Sequence, residues 1–262
     1  MNILQEIAER TRERIAAQKA ILPMNELMQL AQVAENTQFL FEKSLKTDDI
    51  AFICEIKKAS PSKGIIAQNF PYTQIAKEYE DAGAAAISVL TEPYYFQGSD
   101  QYLREIAQTV STPLLRKDFT VDSYTIYEAK ILGASAVLLI CSILDPDTLA
   151  EYISIAHGIG LSALVETHSE EEVAMALKAG ARVIGVNNRN LKTFEVDIGL
   201  SARLRKYVPP EVIFVSESGI KTPEDVEKLR RTGANAVLIG EAIMESDDKP
   251  GAIARLRTGA NL

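Results

Sequence analysis

The stretch EIKKASPSKG, residues 55–64, sets a glutamate and two lysines at the end of the apolar run AFIC and follows them with a proline–serine loop. Glu55 and Lys57 are two apart, so in a strand they point the same way as Ile53. A carboxylate beside an ammonium can exchange a proton, hold a polar ligand, or simply be solvated. The pattern recurs along the chain. TPLLRK ends in Lys117, LSALVE ends in Glu166, and KAGARVIGV runs into Asn187-Asn188-Arg189. VIFVSES carries Glu217-Ser218-Gly219, and AVLI runs into Gly240-Glu241. One polar strand end needs no cause beyond solvent. Six apolar runs that all end this way, with no such concentration at their opposite ends, point to a shared acid–base site.

Other chemistries find few residues. The two histidines, His157 and His168, have no Cys or carboxylate companion at metal-ligand spacing. His168 follows Glu166 closely and reads as the start of the next loop. There is no G-x-S-x-G elbow and no P-loop. No metal site is expected, which leaves proton transfer to lysine and glutamate.

The elements that would carry these residues are marked by a repeat. DAGAAAISVL (81–90), LGASAVLLI (132–140), KAGARVIGV (178–186) and RTGANAVLIG (231–240) each close a helix with glycine and enter an apolar strand. Gly83, Gly133, Gly180 and Gly233 lie 50, 47 and 53 residues apart. A strand–helix unit takes roughly 25–30 residues, so each interval holds two strands. The intermediate ones are TPLLRK (112–117), LSALVE (161–166) and VIFVSES (212–218), and AFICEIK (51–57) comes first, which makes eight. Asp145-Pro146, Ser169 with Glu172, and Thr222-Pro223-Glu224-Asp225 read as helix starts. Strands apolar on both faces that alternate with helices predict a (β/α)8 TIM barrel with an extra helical N-terminal segment. A doubly wound open sheet is the rival, but no strand is followed by G-x-G-x-x-G. The reading is one barrel domain over 1–262, with a helical extension over 1–48 and the barrel over 51–258. Ile3, Leu4, Ile7, Ala8 and Ile15 predict a first long helix, and a second is expected from Met24 to Leu45. These helices would either close the barrel bottom or reach the site.

The bulk properties agree. The chain has 262 residues, is 47% hydrophobic and carries a formal charge of −8. An acidic chain is a poor partner for nucleic acid or an anionic membrane. Cys54 and Cys141 lie in apolar runs and read as buried thiols of a reducing compartment. The start, MNILQEIAER, lacks a signal peptide's apolar stretch, and the run AVLLI is too short to span a bilayer. A soluble, cytoplasmic protein is expected, either a monomer or a weak homo-oligomer.

A phosphorylated small molecule is the expected ligand. The glycines of Ser218-Gly219-Ile220 and Ile239-Gly240-Glu241 follow the seventh and eighth strands, where such barrels often bind phosphate. These motifs, together with LTEPYYFQGS (90–99), LLRKDF (114–119), LVETH (164–168), GVNNRNLKTF (185–194) and LIGEA (238–242), resemble the indole-3-glycerol phosphate synthase family. They run in order from the first strand to the last. The resemblance implies ring closure of 1-(2-carboxyphenylamino)-1-deoxyribulose 5-phosphate, with loss of carbon dioxide and water and without a cofactor. It implies Lys117 as the general acid and Glu166 as the opposing acid–base group, with Glu55 and Lys57 assisting. Asn187, Arg189 and Ser218 would orient the intermediate, and Ser60 and Arg189 would lie near the carboxylate. Gly219 and Gly240 would hold the phosphate. Phe96, Phe119, Leu138 and Leu191 would form an apolar slot, and Glu217 and Glu241 fall among the substrate-binding residues. Lys57 and Lys117 are expected to lower each other's pKa while glutamates raise them, leaving Lys117 an acid near neutral pH.

Two rivals stand beside this reading. One is another phosphosugar barrel, such as phosphoribosylanthranilate isomerase. It would call for a cysteine or aspartate base, whereas strand parity turns Cys54 away from the interior. The other is a non-catalytic ligand-binding barrel, which has no need of Lys117 and Glu166 together.

Overall fold

The computed structural model describes residues 3–35, 37–190 and 193–258. The described residues form ten strands: β1 (Ala51–Ile56), β2 (Ala59–Ser60), β3 (Gly64–Ile65), β4 (Ala86–Leu90), β5 (Leu114–Lys117), β6 (Ala136–Ile140), β7 (Ser162–Thr167), β8 (Val183–Asn187), β9 (Ile213–Glu217) and β10 (Ala236–Ile239). Eight of them close in parallel as β1-β10-β9-β8-β7-β6-β5-β4, while β2 and β3 form a small antiparallel hairpin in the loop after β1. The fold is the expected (β/α)8 barrel.

The helices are α1 (Ile3–Ile21), α2 (Met24–Val33), α3 (Leu40–Ser44), α4 (Tyr72–Asp81), α5 (Asp100–Ala107), α6 (Tyr124–Ile131), α7 (Pro146–Gly158), α8 (Glu170–Lys178), α9 (Gly199–Arg205), α10 (Pro223–Thr232), α11 (Glu241–Met244) and α12 (Lys249–Thr258). Gly83, Gly133, Gly180 and Gly233 all have φ between +75° and +89°, the left-handed stop that the repeat predicts. Asp145 caps α7, and Thr222 and Asp225 form a full capping box on α10. The Ser169 box is only half formed. Ser169 accepts from the Glu172 N–H, but the Glu172 carboxylate accepts from the N–H of His168 instead of that of Ser169.

Strand alternation sorts the side chains into two layers. Ile53, Leu115, Leu138, Leu164, Val215 and Leu238 fill the barrel interior. Cys54, Leu114, Leu139, Val165, Phe214 and Ile239 pack outward beneath the helices.

The N-terminal segment departs from expectation in one respect. The single helix foreseen over 24–45 is two, α2 and α3, separated by Gln38 and Phe39 at φ 45° and 60°. The two helices cover different surfaces. α2 lies on α6, where Leu27 packs with Tyr124. α3 is pinned at the strand starts, with the Phe39 N–H bonded to the Gly160 carbonyl and the Arg182 guanidinium 4.1 Å from the Phe39 ring centre. One straight helix cannot reach both places. α3 sends Phe41 and Leu45 into the interior cluster from below. α1 instead crosses the opposite end. Arg14 bonds Asp118 just beyond β5 at 2.8 Å, and Lys19 bonds Asp122 at 2.6 Å. Both readings of the N-terminal segment are therefore realised, each by a different helix.

Candidate active site

The carboxyl ends of the strands surround one pocket. It is lined by Glu55, Lys57, Ser60, Phe96, Lys117, Phe119, Leu138, Glu166, Asn187, Arg189, Glu217, Ser218, Gly219, Gly240 and Glu241, with Ile3, Leu4 and Ile7 of α1 as part of its wall. Leu191 lies outside the described residues. Every other residue that the resemblance assigns to the site lines this pocket.

At its centre Lys117 Nζ donates to Glu217 Oε2 at 3.1 Å and to Glu166 Oε2 at 3.2 Å. All three side chains are almost closed to solvent, at 14%, 2% and 3% exposure. Burial alone would push the lysine pKa down. The carboxylates of Glu217, Glu166 and Glu55 outweigh it and hold the ammonium well above its ordinary value. This corrects the expected lysine–lysine balance, since Lys57 is occupied by its own neighbour, Glu55 Oε1, at 2.6 Å.

The two carboxylates of the bridge are driven apart. For Glu166, burial raises the pKa, but Lys117, His168 and a hydrogen bond from Asn187 outweigh it and keep the group ionised. For Glu217, burial is reinforced by Glu166 and Glu55, and Lys117 only partly offsets them, so its pKa is pushed up to about 7. Its second oxygen, Oε1, has no hydrogen-bond partner among the described residues. Two acids of one type in one pocket thus have their pKa values pushed in opposite directions. The sequence places Glu217 among the binding groups; its titration near neutrality appears only with its burial.

Two glycines make room for these acids. A Cβ on Gly185 of β8 would lie 2.1 Å from Glu217 Oε1, and one on Gly240 would lie 2.6 Å from Glu55 Oε1. A side chain at position 240 would therefore displace the Glu55 carboxylate, whatever the Gly240 amide does for a ligand.

Behind the site stand supports to which sequence reasoning assigned no role. Asn188 points away from the pocket. Its Nδ2 donates to Ser216 Oγ and to the carbonyls of Glu217 and Ser218, and its Oδ1 accepts from Ser201. These bonds fix the turn in which Ser218 and Gly219 both take positive φ, 67° and 82°. Glu92 accepts from the N–H groups of Tyr94, Tyr95 and Phe96, which places Phe96 with its ring centre 6.4 Å from that of Phe119. An acid two residues past an apolar strand was the available signal for Glu92. Arg116, by contrast, alternates out of the barrel and is buried against Asp100, Glu128 and Asp118.

At the other pole, Glu241 draws three cations together. Lys63 Nζ is 2.8 Å from it, Arg189 Nη2 3.7 Å and Lys221 Nζ 3.8 Å. The pocket thus has an apolar wall, a buried acid–base triad, and a cationic rim beside Gly219 and Gly240.

The family model for indole-3-glycerol phosphate synthase matches residues 4–256. The chain belongs to the indole-3-glycerol phosphate synthase family. It is 57% identical to the indole-3-glycerol phosphate synthase of Ruminiclostridium cellulolyticum, over 98% of this chain and 100% of that one. The Endomicrobium trichonymphae enzyme of the same name is 54% identical, over 93% and 95%. Solved structures with the same fold include the N-acetylmannosamine-6-phosphate 2-epimerase of Clostridium perfringens (TM-score 0.61, 18% identity, 80% of this chain and 93% of that one). The thiamine phosphate pyrophosphorylase of Pyrococcus furiosus is another (TM-score 0.59, 17% identity, 84% and 95%). At that identity they speak for the barrel alone. The isomerase reading also loses its cysteine base, because Cys54 sits in the outer layer and burial pushes its thiol up to about 12.

Proposed function

We propose a division of labour for the indole-3-glycerol phosphate synthase reaction, a carboxy-lyase step of tryptophan biosynthesis, which this chain carries out. The substrate's ring carbon bearing the carboxylate attacks the ketone carbon. Lys117 gives a proton to the ketone oxygen as the bond forms. The carboxylate then leaves as carbon dioxide, and its electron pair restores the aromatic ring. In the dehydration that follows, the hydroxyl leaves with a proton from Glu217, and ionised Glu166 takes a proton from the adjacent carbon. Two protons are given and one is taken, so each turnover draws one proton from solvent, equal to the carboxylate charge lost as carbon dioxide.

The single observation that carries this assignment is the Lys117 bridge between an ionised and a neutral-range carboxyl in one buried cluster. Glu55 holds Lys57 in the position of a charge that orients the substrate, with Asn187, Ser218 and Ser60 beside it. Phe96, Phe119 and Leu138 supply the apolar wall for the aromatic ring. Arg189, Gly219, Gly240 and Glu241 define the pole that takes the phosphate. Every group named comes from one chain, so a monomer or a weak homo-oligomer suffices. Such a substrate fits a cytoplasmic enzyme. No helix among the described residues is long and apolar enough to cross a membrane.

The test is turnover of 1-(2-carboxyphenylamino)-1-deoxyribulose 5-phosphate by the purified chain, followed by indole fluorescence. Product formation that drops sharply in Glu166→Gln with little change in KM supports the assignment. A Glu166→Gln variant with parental kcat removes Glu166 from the chemistry.

A further inference from the structure

Strand alternation builds the same device twice in this barrel. On β1, Glu55 and Lys57 share the inner face, and the ammonium meets the carboxylate at 2.6 Å. On β7, Glu166 points inward and Thr167 outward, where its hydroxyl donates to the Gly185 carbonyl. His168 returns to the side of Glu166. Its Nε2 lies 3.6 Å from Glu166 Oε1, the oxygen that Lys117 does not use. Its Nδ1 lies 3.4 Å from Glu172 Oε2, and its backbone N–H donates to that same oxygen at 2.7 Å. Glu172 is held in turn by α8, whose cap Ser169 accepts the Glu172 N–H. An imidazole that merely filled space would turn an edge to apolar neighbours. Here both ring nitrogens face carboxylates, with the side chain only 19% exposed.

We infer that His168 is a positioning residue for Glu166. As imidazolium it acts on Oε1 through its charge across 3.6 Å, without the hydrogen bond that joins Lys57 to Glu55 on β1, and keeps the catalytic carboxylate ionised. The inference rests on the proposed role of Glu166. The charged groups facing this pair are Lys117 from β5, Glu217 from β9, Glu172 from α8, and Glu55 beyond Lys117. Cys141, in the turn after β6, donates to the Glu172 carbonyl and is a neutral thiol, pushed up to about 12 by burial. Burial disfavours the charged imidazole, but Glu172, Glu166 and Glu217 outweigh it and raise His168 above its ordinary value of 6.5. His157 is an internal contrast. Burial and then Arg182 lower it, and it stands edge-on to the Phe39 ring at 5.8 Å.

The chain has only these two histidines, so proton NMR of the full-length protein reads both, and His168→Gln assigns them. The expected result is one imidazole titrating above 6.5 and one below. An opposite charge at this range shifts a pKa by about one unit or more. Glu166→Gln should therefore lower the His168 midpoint by about one pH unit. By linkage, the acid limb of kcat in His168→Gln should move up by a similar amount. KM should change little, and Glu172→Gln should lower the His168 midpoint while leaving the protein folded. A His168 midpoint unmoved in Glu166→Gln overturns the inference, as does an acid limb in His168→Gln that superimposes on the parent's. The NMR coupling is read without substrate. If the parent makes no indole product, the functional assignment falls separately, while the His168–Glu166 contact is still tested.

Discussion

Replacing Glu217 by glutamine should make the protein more stable and less active. Glu217 is 1% exposed, and its pKa rises from an ordinary 4.5 to about 7 in the folded chain. A folded-state pKa above the unfolded one means that the folded state binds the proton more tightly. The resulting stability is fully present below about pH 4.5 and is lost as pH rises through about 7. The interval between 4.5 and about 7 corresponds to about 3 kcal/mol. Around pH 5 the unfolded chain has given up most of its proton, and roughly 1 kcal/mol of that cost is already expressed; by pH 8 nearly all of it is. Glutamine keeps the shape and an oxygen for Lys117 Nζ, now at 3.1 Å from the carboxylate, but never ionises. Denaturant unfolding of parent and Glu217→Gln between pH 5 and pH 8 should show the variant gaining about 2 kcal/mol over the parent across that range. The attraction to Lys117 acts only on the ionised carboxylate and is already contained in its pKa of about 7. The same variant should lose at least about 10²-fold in kcat, the lower range for a positioned acid. A stability difference that does not vary with pH would refute the raised pKa, and parental kcat would refute the proton-donor role.

Lys117→Ala should lower kcat by roughly 10²–10⁴-fold with a smaller change in KM, whereas Lys57→Ala should change both, because an orienting charge acts on ground and transition states alike. Steady-state kinetics separates the two, and the roles are exchanged if the patterns are. Gly240→Ala puts a methyl 2.6 Å from Glu55 Oε1, so it should displace that carboxylate from Lys57 and cost roughly 10–100-fold in kcat. A loss confined to phosphate-bearing ligands, measured as competitive inhibition by inorganic phosphate, would instead make the Gly240 amide the critical group. Asn188→Ala removes the donor that fixes the Ser218 turn and should destabilise the fold by about 1–3 kcal/mol, read by thermal unfolding at neutral pH.

Much of this protein is written locally. The helix stops at Gly83, Gly133, Gly180 and Gly233, the caps at Asp145 and Thr222, and the two-residue alternation that turns Glu55 inward and Cys54 outward are all near-neighbour effects. They give the eight strands, their order and the inner residues before any contact is known. The tertiary structure decided what meets across the barrel. Lys117 and Glu217 are 100 residues apart, and only closure of the sheet brings Nζ to the carboxylate. It also decided that α1 would wall the pocket while α3 closes the bottom, since amphipathic periodicity marks a buried face but not the surface that buries it. Above all it set the charges. The sequence shows glutamates and lysines at strand ends, and local reasoning paired Lys57 with Lys117. Desolvation and the distances between groups from β1, β5, β7 and β9 leave one glutamate ionised, lift another toward neutrality, and raise the lysine. Those are sums over groups distant in sequence, so they exist only once the chain has folded.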